Sequence, residues 1–146
     1  MGNYFQVDLK GVSVIPDAYT LRHYDSYAEE GIYNWSLQGG FHPDNPDSPD
    51  SPDKSSSLQE EDKPNDLVWV TISNHINEHA FNTRGQMKTW KINIINVPNQ
   101  IHSQPQNLRK YTSFRVVQTG ENVSKHWFLA LSGFEIYGKV FSEEYI

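Results

Sequence analysis

Two runs near the end of the chain constrain its fold more than any other feature. They are Phe114-Arg-Val-Val-Gln-Thr-Gly-Glu-Asn122 and Phe128-Leu-Ala-Leu-Ser-Gly-Phe-Glu-Ile-Tyr-Gly138. Aromatic and β-branched side chains suit a pleated, half-buried surface. Two such runs joined by a short polar loop read as the closing strands of an antiparallel sandwich. Comparable short runs occupy 4–9, 12–15, 18–24, 33–39, 67–73 and 87–95. In the first, Phe5, Val7 and Leu9 alternate with Tyr4, Gln6 and Asp8, the two-residue period of a strand. Pro16-Asp17 reads as a turn between the second and third runs. No window of helical length keeps an apolar repeat, and only 74–80 leaves room for one or two helical turns. The expectation is an all-β, jelly-roll β-sandwich of about eight mainly antiparallel strands.

The 146 residues suit a single domain, 1–146, because a chain of roughly 150 residues buries about two-thirds of its unfolded surface. Within it, 40–66 holds five of the eight prolines and hardly an apolar side chain. Such a stretch cannot bury enough to offset its ordering entropy, so it is expected to be a flexible, disordered acidic insertion. Its eight carboxylates against Lys54 and Lys63 account for the whole net charge of −6. The remaining body is neutral and lacks the basic excess that nucleic acid would require. Asp-Ser-Pro occurs twice in tandem, which makes Ser48 and Ser51 candidates for proline-directed phosphorylation; a plain solvated insertion is the simpler reading.

Cysteine is absent, which favours a reducing, intracellular compartment. The N-terminus lacks the layout of a signal peptide, and Gln6 stands where myristoylation needs Ser or Thr. No run of about 18 apolar residues is available for a membrane helix. The chain is therefore expected to be one domain of a larger intracellular protein.

Reaction chemistry finds little support. His75-Ile-Asn-Glu-His79 matches the inverted zinc-peptidase spacing H-x-x-E-H. That chemistry needs both histidines on one face of a long helix, plus a third carboxylate ligand. Here a strand runs to Ser73 and Phe81-Asn-Thr-Arg-Gly85 closes the segment, so a capping or bracing role for the histidines is expected. Ser132 lacks the upstream glycine of a nucleophile elbow. Gly39-Gly40 is too short for a phosphate cradle. No enzyme, metal or cofactor is expected.

Recognition is the better reading. Trp35, Trp69 and Trp90 lie in strand-like runs and are expected in the core, whereas Trp127 follows a polar stretch and is expected at a loop edge. Strands running up and down would gather loops 25–32, 74–86 and 120–127 at one end. That end would carry Tyr24, Tyr27, Asn82, Arg84, Asn122, His126 and Trp127, which mix flat aromatic area with hydrogen-bonding groups suited to a peptide or a sugar.

Taken in order, Tyr4-Phe-Gln-Val-Asp-Leu9, Tyr19-Thr-Leu-Arg-His-Tyr24, Asn34-Trp-Ser-Leu-Gln-Gly39, Trp69-Val-Thr-Ile72 with His75 and Asn77, Phe114–Gly120 and Leu131-Ser-Gly-Phe-Glu-Ile-Tyr-Gly138 resemble the discoidin-type (coagulation-factor C-type), galactose-binding-like domain. The likeness is to its intracellular branch, found beside BTB, kelch or HECT domains in ubiquitin-ligase-related and scaffold proteins. The resemblance implies a non-catalytic module binding a protein or peptide, or alternatively a glycan, through loops 25–32 and 80–86. Membrane-binding members place apolar spikes and basic residues there; Asp25, Glu29 and Glu30 argue against that use. Some sugar-binding relatives hold a structural calcium, for which this sequence offers no matching acidic cluster. The family's tight turn between Leu37 and Trp69 is replaced by the acidic insertion.

Overall fold

The structure, a computed structural model, describes residues 2–43, 67–93 and 109–142. Among these residues seven strands form two antiparallel sheets: β1 (Tyr4–Asp8), β2 (Val12–His23), β3 (Trp35–Phe41), β4 (Val68–His75), β5 (Met87–Lys91), β6 (Ser113–Gln118) and β7 (Leu131–Ser142). One sheet has the order β1-β6-β3-β4 and the other β5-β2-β7. Among the described residues there is no helix, and none long and apolar enough to cross a membrane. The all-β sandwich expected from the sequence is what the chain forms.

One of the expected strand breaks is absent. Pro16-Asp17 does not turn the chain; β2 runs through it as a bulge between Pro16 and Ala18 against β7. The bulge shifts the core-facing set from Val14 and Pro16 to Tyr19, Leu21 and His23, all buried. A residue that lacks an N–H and an extra, unpaired residue are what a bulge accommodates. Across the ladder, a Cβ at Gly138 would run into the Ile15 carbonyl oxygen, so the close approach needs glycine. The segment 74–80 does not turn helically either. Its last strand residue is His75, and the chain then bends at Ile76 and Asn77, the latter at φ 53°. The insertion expected from residue 40 begins later, because Gly40 and Phe41 still belong to β3. Its expected flexibility concerns residues 44–66, outside the described residues.

The core divides into two clusters. Tyr19, Leu21, Ile32, Trp35, Leu37, Ala80, Phe81 and Val116 make one. Val14, Val70, Tyr111 and Phe114 make the other. Each fully buried large side chain stabilises by about 1.5–3 kcal/mol, so these clusters dominate the fold. Trp35 is wholly buried and Trp90 packs against the first cluster. Trp69 departs from expectation. It pairs with Gly40 on the outer face of the four-stranded sheet, and its ring lies 3.1 Å from where a Gly40 Cβ would stand. The opposite side of the neighbouring glycine, Gly39, is covered by the Tyr111 ring. Both glycines thus make way for aromatic rings on the two faces of one strand.

Candidate functional site

Antiparallel pairing sets which connections meet. His75 and Gln118 both lie opposite Trp35, while Leu131 lies opposite His23 and Met87 opposite Arg22. The connections 24–34, 76–86 and 119–130 therefore share one end of the sandwich. They are tied to each other by their main chains. Glu78 N donates to Tyr33 O (2.9 Å), Gly85 N to Tyr24 O (3.2 Å), Tyr24 N to Ala130 O (3.3 Å), Val123 N to Gly31 O (3.1 Å) and Thr119 N to Asn34 O (3.0 Å). The 24–34 connection takes part in all five bonds and is the keystone. Asn34 adds two more, donating to Glu121 O (3.0 Å) and accepting from Asn77 N (2.9 Å).

Beneath this end runs a polar chain inside the first core cluster. Trp35 Nε1 donates to the Tyr19 hydroxyl (3.1 Å), and that hydroxyl lies 2.7 Å from His75 Nε2. His75 Nδ1 meets Glu78 Oε2, while Trp90 Nε1 donates to Glu78 Oε1 (2.8 Å). The indole groups at both ends are donors only, and the Tyr19 hydroxyl, which also has Ser73 Oγ at 3.5 Å, completes the chain when the His75 ring carries its proton on Nδ1. Tyr19 accepts from Trp35 and gives its proton to Nε2; Nδ1–H then points at the carboxylate. Burial pushes the Tyr19 hydroxyl up to about 12, so the proton this scheme needs stays in place. For Glu78, burial would raise the carboxyl, but bonds from Trp90 and His75 and the charges beside it outweigh burial and hold it below its ordinary 4.5. The His75 ring stacks on Trp35 at 4.2 Å and 9°.

This arrangement explains the H-x-x-E-H spacing without a metal. Both His75 nitrogens are bonded within the core, Glu78 is committed to His75 and Trp90, and no helix aligns the pair. His79 turns outward and packs on Tyr33, with ring centroids 4.8 Å apart. Among the described residues, no three His, Asp or Glu side chains are grouped to hold an ion. The bracing role expected for these histidines is the one His75 has.

A second polar knot joins two of the loops. His126 Nδ1 lies 2.7 Å from Glu30 Oε1, and Asn122 Nδ2 donates to the other oxygen, Oε2. Burial would raise the Glu30 carboxyl; the bonds from Asn122 and His126 prevail and hold it below its ordinary value. Asn122 Oδ1 accepts from Ser124 N and His126 N, both at 3.0 Å. Glu30 and Lys125 adopt left-handed backbone at φ 68° and 63°, a conformation that costs ordinary side chains and here is held by these bonds.

The seven residues expected at the site separate into groups. Tyr24 and Tyr27 are exposed, with ring centroids 5.9 Å apart. Asn82 and Arg84 lie exposed on the 76–86 connection, which reaches Tyr24 through Gly85. His126 and Trp127 are exposed on the 119–130 connection, joined there by Phe128. Asn122 is only 2% exposed and spends its amide on loop bracing rather than facing outward. In the two Asn-x-Ser triplets of the sequence, Asn34-Trp-Ser36 and Asn122-Val-Ser124, the asparagine amides both serve internal bonds. A cleft of about 400 Å³, lined by Tyr33, Asn34, Asn77, His79, Glu121, Asn122, Val123 and Lys125, opens at this end. Of these only Asn122 is among the seven residues expected at the site from the sequence. A non-glycine residue in left-handed backbone leaves no compositional mark, which is why Lys125 and Glu30 escape a sequence reading.

No protein-family model matches the chain. It is similar to the E3 ubiquitin-protein ligase Ufd4 of Drosophila melanogaster, 34% identical over 138 residues. That match takes in 94% of this chain but only 4% of the length of the ligase. The similarity fits the ubiquitin-ligase-related branch to which the sequence was likened.

Proposed function

We propose that this chain is a single-domain, non-catalytic recognition module that docks a protein or peptide partner through its three-loop end. It would act as one part of a larger, intracellular ubiquitin-ligase-related protein, recruiting a substrate or scaffold component. The observation that carries this reading is the loop end itself. Its main chains are locked to one another, yet it exposes Tyr24, Tyr27, Ile76, Trp127 and Phe128 to solvent. Large apolar and aromatic side chains on a rigid platform are typical of protein interface centres. The similarity to a ubiquitin ligase supports the setting.

The test compares proteins retained from cell extract by the native domain and by a Tyr27→Ala/Trp127→Ala variant with an unchanged amide NMR spectrum. Loss of specific partners in the variant is the expected result. Identical retention by both would refute the reading.

A second reading, carbohydrate binding, draws on the cleft lined by Tyr33 and several hydrogen-bonding side chains. Its volume lies within the range of about 300–1,000 Å³ typical of small-ligand sites. A glycan array read with native protein and a Tyr33→Ala variant decides it. Hits that vanish in the variant support sugar binding, and an array without hits removes it.

A further inference from the structure

The outer face of the four-stranded sheet carries an arrangement that the loop-end reading does not use. Register places Gln6, Arg115, Gln38 and Thr71 in one row across β1, β6, β3 and β4. Leu37, Phe114 and Val116, the neighbours in sequence, face the core, so this row faces outward. Flanking rows hold small residues, and Gly40, Ser36, Ser113 and Val117 are all buried although they lie on the outer side. Trp69 covers Gly40, and on the same face it is the end of a ladder of three large side chains, Trp69, Arg115 and Tyr4.

Arg115 forms its middle rung. Its guanidinium carbon is 4.0 Å from the centre of the Trp69 ring and 5.6 Å from that of Tyr4. Arg115 Nε donates to Gln38 Oε1 at 2.7 Å, which fixes the plane of the group. Nε is engaged and one face lies against an indole, and among the described residues none accepts from the terminal nitrogens, which are left to bind an outside acceptor. Among the described residues Arg115 forms no ion pair. The nearby acid on this face, Asp8, accepts from Gln6 Nε2 at 2.9 Å instead. Burial acts on Arg115 as on any cation without a counter-charge, lowering its hold on the proton, with Tyr4 acting weakly the other way.

Trp, Tyr and Arg are the residues most enriched among binding hot spots, and a stacked, oriented guanidinium matches the geometry of a carboxylate with two parallel bonds. We propose that Tyr4, Arg115 and Trp69 form a second docking site, on the outer sheet face, for a glutamate or aspartate side chain of an acidic peptide segment in a protein partner. The carboxylate supplies a counter-charge that none of the described residues gives Arg115, and the flanking rings shield the pair from water. This site is separate from the loop end and stands whether or not that end binds a partner.

The test titrates the isotope-labelled chain with a capped peptide of alternating glutamate and alanine, beside its glutamine-for-glutamate counterpart. The glutamate peptide alone should produce saturable shifts at Arg115 Nε–H and Trp69 Nε1–H. Arg115→Gln should weaken binding at least tenfold. Arg115→Lys should fall between, since an ammonium keeps the charge but cannot stack or bind in parallel; it also serves if the glutamine variant fails to fold. Tyr27→Ala, which alters the loop end, should leave the affinity for the glutamate peptide at its native value. Shifts that bypass Arg115 and follow the surface lysines would overturn the proposal. So would undiminished binding by both Arg115 variants.

Discussion

The two ends of the sandwich are built on different principles. Toward the acidic insertion, the side chains of Val14, Val70, Tyr111 and Phe114 pack apolar face to face, with Phe114 edge-on to Tyr111 at 5.7 Å. Toward the loops, Tyr19 and Trp35 are also fully buried, yet they anchor the hydrogen-bonded chain through His75 to Glu78 and Trp90. Apolar packing excludes water but tolerates small rotations. A chain of directional bonds does not, because each bond weakens steeply when its angle departs from linear. The end that carries connections in need of fixed positions is the end with the directional core.

The sharpest way to break this contrast is to truncate each end in turn. Phe114→Ala should destabilise by about 3–5 kcal/mol in urea unfolding, the usual cost of deleting a buried ring. Amide shifts of 76–86 in the folded variant should stay close to native. A loss under about 1 kcal/mol would show that this cluster is not a close-packed core.

His75→Ala should cost less, roughly 2–4 kcal/mol, as a small cavity and two unsatisfied partners, Tyr19 and Glu78, are left behind. Its signature is local. Amides of 24–34 and 76–86 should shift and exchange faster, while β1 and the cluster around Phe114 stay protected. Uniform shifts across both ends would erase the distinction.

The smallest effect is in pH. Because the folded-state carboxyl of Glu78 sits below 4.5, its contribution is complete above that value and is lost as pH falls through the folded value. The gap between native protein and Glu78→Gln, at most about 1 kcal/mol for so partly exposed a group, should shrink over that acid window. A gap independent of pH would show that Glu78 acts only by shape.

Much of this architecture was legible in the sequence, because alternation and aromatic content report burial directly. The gathering of three connections at one end followed from simple up-and-down strand order. Pro16-Asp17 misled because proline and aspartate suit a turn and a bulge alike; the deciding residue, Gly138, lies far along the chain. Trp69 misled because a tryptophan flanked by valines looks internal, and only its pairing with Gly40 reveals the outer face. Asn122 looked like a surface contact since its polarity is visible while its burial is not. The bond between Glu30 and His126 joins residues 96 positions apart, and no local pattern could announce it.

The main-chain bonds among the three connections have a kinetic consequence. The ordering entropy of this surface is lost when the chain folds, not at the moment of encounter. Association there should proceed by rigid docking, with rates governed by diffusion and orientation, and affinity differences among partners should appear in how slowly they leave.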